Sequence, residues 1–392
     1  MYNIKTMNKI AKIGLANFNA DFAVSDEFEN PDGILVRSAS LHEMPVNENL
    51  MAIARAGAGT NNIPVDAMAD KGVVVFNTPG ANANAVKELV ICGMLLASRD
   101  VVGGINWAKA NADDPDIAKS VEKNKAQFAG YELKGKTLGV IGLGAIGGPL
   151  ANAAIHLGMT VYGFDPYLSV EAAWNLSRDI IHAKSREEIY EKCDFISIHV
   201  PLIVSDDASK NTKGMIGEAE IAMMKDGVTV LNFARDALVN DVAMEAALES
   251  GKVRRYVTDF PNASSVKMKN AIAIPHLGAS TEESEDNCAI MAVKELSDYI
   301  LTGNIKNSVN YPDVEMSRTG VARICVLHKN IANMIAKFTG VMGENGINIE
   351  NMTNRSKKEN AYTVMDASTD VSDKIVEQLK AIDGVIRVRV IK

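Results

Sequence analysis

Two doubly wound α/β units followed by a small ferredoxin-like module make up the fold class that this sequence predicts. Three observations predict it. Short runs rich in Val, Ile and Ala alternate with helical patterns along most of the chain, the order that builds parallel sheets covered on both faces. A glycine-rich turn, Gly142-Leu143-Gly144-Ala145-Ile146-Gly147, stands between one such run and a helical stretch. From Val321 onward the rhythm changes to β-α-β-β-α-β.

The elements follow in order. Residues 10–16, 34–38, 51–56 and 72–77 are short apolar runs bounded by Gly, Asn or Pro and read as buried parallel strands. Residues 84–98 carry an almost continuous apolar helical pattern, which predicts a buried helix. Residues 111–125 are polar and charged and read as an exposed connector. A second unit opens at Lys134-Gly135-Lys136, with strands expected at 138–141, 160–164, 195–199, 229–233 and 256–259 and helices between them. The amphipathic run 282–301 stops at Gly303, since Gly just past a helix ends it readily. In the last module, strands are expected at 323–327, 347–354, 362–367 and 385–391, with helices at 331–342 and 372–381. Ser317-Arg318-Thr319-Gly320 is the expected hinge before it.

Composition narrows the function classes. At roughly 150 residues per domain, 392 residues make two or three domains. A hydrophobic share of 47% with 23% charged residues is that of a globular chain. The net charge of −8 argues against a nucleic-acid partner, which needs concentrated Lys and Arg. No apolar run approaches the ~18 residues of a membrane span, and the N-terminus lacks a secretory pattern. Cys92, Cys193, Cys288 and Cys325 lie far apart without zinc spacing, so no metal site is expected. Four such thiols read as buried, reduced residues of a cytoplasmic protein.

The glycine turn carries the cofactor signal. Gly142 would turn the chain, Gly144 would let backbone reach a pyrophosphate, and Gly147 would let helix and strand pack closely. With Ala145 and Ile146 they open a helix whose unpaired N–H groups attract phosphate. Asp165 ends the next strand, eighteen positions beyond Gly147. A carboxylate there accepts hydrogen bonds from ribose hydroxyls and repels a 2′-phosphate, so NAD is the expected cofactor.

Two further stretches carry the chemistry. Arg235 follows an expected strand of the same unit, where it can grip a carboxylate in a bidentate pair. His276, in Ile274-Pro275-His276-Leu277-Gly278, is the candidate general base that takes a hydroxyl proton as hydride leaves. Arg37 and Arg55 each end an apolar run and could supply a second anion site.

With these residues in view, the chain resembles the D-isomer-specific 2-hydroxyacid dehydrogenases along nearly its whole length. The resemblance rests on RAGAGTNNIPVDA at 55–67, NTPGANANAVKELV at 77–90 and GKTLGVIGLGAIG at 135–147. HVPL at 199–202, LNFARDALVN at 231–240 and PHLGASTEESEDNCA at 275–289 add to it. It implies a Rossmann-like NAD domain over 104–283, inserted into a discontinuous substrate domain of residues 1–103 and 284–316. It also implies that Arg235 binds the substrate carboxylate, that His276 is the acid–base residue, and that Asp259 lies near the nicotinamide carboxamide. Ala58 and Gly59 would offer backbone N–H groups to the substrate, with Asn82 on the substrate side. Members acting on phosphoglycerate have arginines matching Arg37 and Arg55, so the expected reaction is NAD-dependent oxidation of 3-phospho-D-glycerate. The alternatives are a hydroxypyruvate or glyoxylate reductase and a non-catalytic NAD(H)-sensing protein.

One departure stands out. The family usually places a glutamate in the segment after Asp259, where it orients the histidine, and Ala263 occupies that position here. Residues 321–392 resemble an ACT domain, which implies side-by-side pairing into a homodimer or homotetramer. It also implies L-serine as an effector, with His328, Asn330 and Asn348 as its ligands.

Overall fold

A computed structural model describes residues 1–207 and 210–392. The chain divides into two compact units, residues 1–82 with 282–392, and residues 83–281. The first unit begins with five strands: β1 (Tyr2–Met7), β2 (Phe22–Ser25), β3 (Gly33–Val36), β4 (Ala52–Arg55) and β5 (Val74–Phe76). They form a wholly parallel sheet in the order β2-β1-β3-β4-β5. The order reverses between β1 and β3, so ligands belong beyond the carboxyl ends of the strands near that point. Arg37 follows β3 and Arg55 closes β4, which puts both on that edge.

The second unit holds β6 (Thr137–Ile141), β7 (Thr160–Phe164), β8 (Ile181–His182), β9 (Phe195–Ile198), β10 (Val228–Asn232), β11 (Val253–Thr258) and β12 (Ala271–Ala273). They are parallel in the order β12-β11-β10-β9-β6-β7-β8, with the reversal between β6 and β9. The helix Ala83–Ser98 belongs to this unit, because Val86, Val90, Met94 and Ala97 share a core with Leu138, Val140, Phe233 and Val257. The division therefore falls at residue 82, where the sequence expectation has it at 103.

Residues from Ala322 on form β13 (Ala322–Lys329), β14 (Ile349–Lys357), β15 (Asn360–Ala367) and β16 (Val385–Ile391), an antiparallel sheet in the order β14-β15-β13-β16. The helices Met334–Glu344 and Asp373–Lys380 cover one face. The other face is not free. Cys325, Leu327, Tyr362 and Val364 share one core with Phe76, Leu296, Tyr299 and Ile300. A buried ion pair, Arg323 Nε to Asp366 Oδ1 at 2.7 Å, also donates from Arg323 Nη1 to the Thr302 carbonyl.

Several expectations need correcting. Residues 10–16 are not a strand. The segment holds a short helix, Lys12–Leu15, whose Gly14 lies so close to Ala289 of the helix Glu282–Thr302 that a side chain there would overlap it. A short apolar run fits either element, and here the close helix approach decides. Residues 111–125 include a helix, Ile117–Asn124. Ser317–Gly320 is not a free joint, because Asp366 accepts from Thr319 N at 2.8 Å and Gly320 lies against the Ala367 backbone. Cys92 is exposed, while Cys193, Cys288 and Cys325 are buried.

Candidate active site

In the second unit, β6 ends at Ile141 and the chain turns through Gly142 at φ +92°. A side chain at Gly142 would overlap the carbonyl of His199, which follows β9 across the reversal point, and one at Gly147 would overlap the carbonyl of Gly142. Gly144 is different, since its open side meets no atom within 4 Å. The helix Gly147–His156 has no side-chain cap, and although Gly148 N is spent on the Gly144 carbonyl, the partial positive charge of the helix start remains uncompensated for an anion. Asp165 follows β7, and its carboxylate accepts from Leu143 N and Tyr167 N, both at 2.9 Å. It thereby holds the loop, and each oxygen keeps a second lone pair for a ribose hydroxyl. A narrow turn, an open second glycine, an uncapped helix start and a fixed carboxylate fit a dinucleotide.

Further along the same sheet edge, Asn232 at the end of β10 fixes the turn that carries Arg235. Its Nδ2 donates to the Arg235 carbonyl at 2.9 Å, and its Oδ1 accepts from Ala234 N at 3.2 Å. Arg235 and His276 are both exposed. Between them stands Phe260, whose ring lies 4.4 Å from the His276 ring and 5.8 Å from the Arg235 guanidinium carbon. Asp259 is 1% exposed, and its Oδ2 accepts from Gly278 N at 3.1 Å. Burial pushes the Asp259 carboxyl up, while Gly278 N–H, His276 and Arg235 pull it back. His199 is no acid–base candidate. Ser197 Oγ holds its Nε2 at 2.8 Å, and burial pushes its pKa down to about 4. Phe260 and Asn232 were missed by sequence reasoning; neither an aromatic nor an amide beside a strand end carries a signal of its own.

The first unit carries the other site residues. Arg55 Nε donates to the Arg37 carbonyl at 3.0 Å, and its guanidinium folds over Gly57 so closely that no side chain would fit there. Burial, ahead of the neighbouring Arg37 charge, holds its pKa below the usual value. Arg37 is paired with Glu285, Nη2 to Oε1 at 2.7 Å. Ala58 is exposed and Gly59 half-buried in the loop, and Asn77 Nδ2 ties the Ala58 carbonyl at 2.6 Å. Asn82 is half-buried at the end of the unit's first stretch. The three effector candidates do not share partners. His328 is buried, with Nδ1 on the Lys329 carbonyl and Nε2 near Thr363 Oγ1 and Asn354 Oδ1. Asn330 donates to the Lys358 carbonyl and Asn348 to Glu350.

A parallel sheet with a dinucleotide turn at its reversal point, and an arginine and a histidine along the same edge, defines a nucleotide-dependent α/β dehydrogenase. Residues 92–278 match the family described as D-isomer specific 2-hydroxyacid dehydrogenase, NAD binding domain. The chain belongs to that family, and NAD is its cofactor. It is 32% identical over 354 residues to D-3-phosphoglycerate dehydrogenase of Haemophilus influenzae, covering 87% of this chain and 81% of that one. It is also 32% identical over 326 residues to the enzyme of that name from Methanocaldococcus jannaschii, covering 81% of this chain but only 59% of the archaeal one. Among solved structures it is similar to NAD+-bound 3-phosphoglycerate dehydrogenase of Entamoeba histolytica. The TM-score is 0.59 and the identity 27%, over 79% of this chain and 98% of that one.

Proposed function

We propose that this chain oxidises 3-phospho-D-glycerate to 3-phosphohydroxypyruvate, the first step of phosphorylated L-serine synthesis. The observation that carries the reading is Arg55. Its Nε is used by the Arg37 carbonyl and its guanidinium packs over Gly57, and among the described residues it has no salt-bridge partner, a charge that an unphosphorylated hydroxy acid does not need. The likeness to enzymes named D-3-phosphoglycerate dehydrogenase supports the same substrate.

NAD, when bound, supplies the hydride acceptor. Arg235 holds the substrate carboxylate, which orients the neighbouring carbon. His276 takes the hydroxyl proton and returns it in the reverse direction. The loop N–H groups at Ala58 and Gly59, with Asn82, complete the substrate side. Arg55 binds the phosphate, and Arg37 joins it only by giving up Glu285.

Feedback by L-serine and assembly into a homodimer or homotetramer belong to the same proposal. Asn330 and Asn348 are exposed and can turn toward a ligand, whereas His328 is already committed inside the module. Exposed Leu95, Val101, Val102 and Ile105 on consecutive helices supply an apolar face for a second copy. Unpaired thiols throughout agree with a cytoplasmic setting. The test follows NADH absorbance on a panel of phosphorylated and unphosphorylated hydroxy acids, with and without L-serine. Faster turnover of hydroxypyruvate or glyoxylate than of any phosphorylated compound would replace the reading by that of a simple reductase.

A further inference from the structure

We propose that Phe260 is the positioning residue of the catalytic pair, a single ring against which both Arg235 and His276 are set. The inference rests on the roles given to those two residues above, but not on the identity of the substrate. Ala263 stands where an acid would orient the histidine, and the whole stretch 260–275 contains no Asp or Glu. Among the described residues, neither Arg235 nor His276 forms an ion pair, and the His276 ring has no hydrogen-bond partner. Asp259 is fastened to Gly278 N rather than to either of them. Two exposed side chains with nothing to hold them would spread over several rotamers, and a misplaced group costs rate.

What meets them is aromatic. Phe260 stands directly before Pro261, and His276 directly after Pro275. A residue before proline is confined to extended conformations and proline fixes its own φ, so the chain is stiff at both rings. Phe260 N donates to Thr258 Oγ1 at 3.0 Å, and the bond from Gly278 N to Asp259 Oδ2 at 3.1 Å fastens the two segments side by side. The two rings then meet with centroids 4.4 Å apart and planes inclined by 43°. The Arg235 guanidinium carbon lies 5.8 Å from the same Phe260 ring, within reach of a cation–π contact. Asn232 fixes the Arg235 backbone, and Arg235 Nη1 donates to the Ala234 carbonyl at 2.6 Å. An aromatic face attracts a cation yet offers no acceptor that competes with substrate. Phe260 therefore sets the imidazole and the guanidinium against one wall and leaves the imidazole nitrogens free for proton transfer. An aliphatic side chain there would fill space without attracting the guanidinium.

The experiment is NMR of the full chain with labelled histidine and no cofactor, the His276 signal assigned with His276→Gln. An aromatic ring 4.4 Å away displaces the carbon-bound imidazole protons from where an exposed histidine resonates. Phe260→Leu is expected to abolish that displacement and Phe260→Tyr to keep it. In turnover followed by NADH formation, Phe260→Leu should lower kcat about tenfold, the scale of one aromatic pair, with the NAD KM unchanged. Phe260→Tyr should hold kcat within about twofold of the unaltered chain, since the ring is retained. Should the Leu variant not fold, Phe260→Met gives the same reading. A His276 signal unmoved by Phe260→Leu would overturn the proposal, as would an equal loss of kcat in the Leu and Tyr variants. A raised NAD KM with kcat retained would overturn it too, and would assign Phe260 to the cofactor. Because the NMR signal needs no substrate, absence of turnover in the unaltered chain would defeat the proposed reaction and leave this test standing.

Discussion

The two glycine loops of the molecule, one after β6 and one after β4, are shaped by different forces. At Gly142–Gly147 the main chain does it, since carbonyls of His199 and Gly142 fill the space where side chains would go. At Gly57–Gly59 a side chain does it, since the Arg55 guanidinium lies over Gly57 and Gly59 meets nothing within 4 Å. The first loop is what any dinucleotide turn requires and reports the class of cofactor. The second is built around a guanidinium, the group to which the proposed function gives the substrate's phosphate. Under the proposed function, Arg235 and His276 serve any hydroxy acid, whereas Arg55 serves only a phosphorylated one.

The largest effect should be indifferent to phosphate. His276→Asn is expected to lower kcat by about 10²- to 10⁴-fold on phosphorylated and unphosphorylated substrates alike, measured by NADH formation. A loss confined to one class would place proton transfer elsewhere. Gly147→Ala comes next. Its methyl group would press on the Gly142 carbonyl, so NADH affinity by fluorescence titration should fall at least tenfold while a substrate-only thermal shift persists. Arg55→Ala should raise the KM for 3-phosphoglycerate about 10- to 100-fold, the worth of a charge-assisted hydrogen-bond pair, and change that for D-glycerate little. Arg37→Ala should do less than Arg55→Ala, because Glu285 already occupies its guanidinium. Equal effects of the two would break the distinction between a committed and an available arginine.

The smallest effect concerns the first unit's stability. Glu295 is buried on the helix Glu282–Thr302, accepts from Asn307 Nδ2 at 2.7 Å, and leaves Oε2 without a partner. Burial pushes its pKa from 4.5 up to about 8. The unfolded chain therefore gives up this proton first, so the stability it contributes is full below about pH 4.5 and is lost as the pH rises through about 8. Glu295→Gln should flatten the fall in melting temperature between pH 5 and pH 8, where each kcal/mol moves the midpoint by roughly 2–4 °C in a chain of this size. An unchanged slope would mean that the carboxyl is ionised in the fold.

The contrast between loops also explains what could be read from the sequence. Gly142–Gly147 and Asp165 were legible because turn, helix start and carboxylate recur at fixed offsets along one stretch of chain. The same holds for β6, β7, β9 and β10, whose runs are mostly apolar, and for the second half of β11, beyond Arg254 and Arg255. The pairing of Arg37 with Glu285 was not legible, since the partners lie far apart in the chain. Nor was the fastening of Thr319 by Asp366, so composition alone suggested a hinge where hydrogen bonds hold the backbone. β1 was missed because Asn3 and Lys5 break its apolar pattern although it is paired on both sides, while the neighbouring run at 10–16 looked more strand-like and holds a short helix. Local chemistry was visible, whereas anything settled by two distant segments meeting was not.

The most direct test of the account compares kcat/KM of the unaltered chain for 3-phospho-D-glycerate and for D-glycerate under the same NAD concentration. The account predicts a preference of at least about tenfold for the phosphorylated acid, the least that one well-placed charge-assisted contact gives. Equal values, or a preference for D-glycerate, would contradict it.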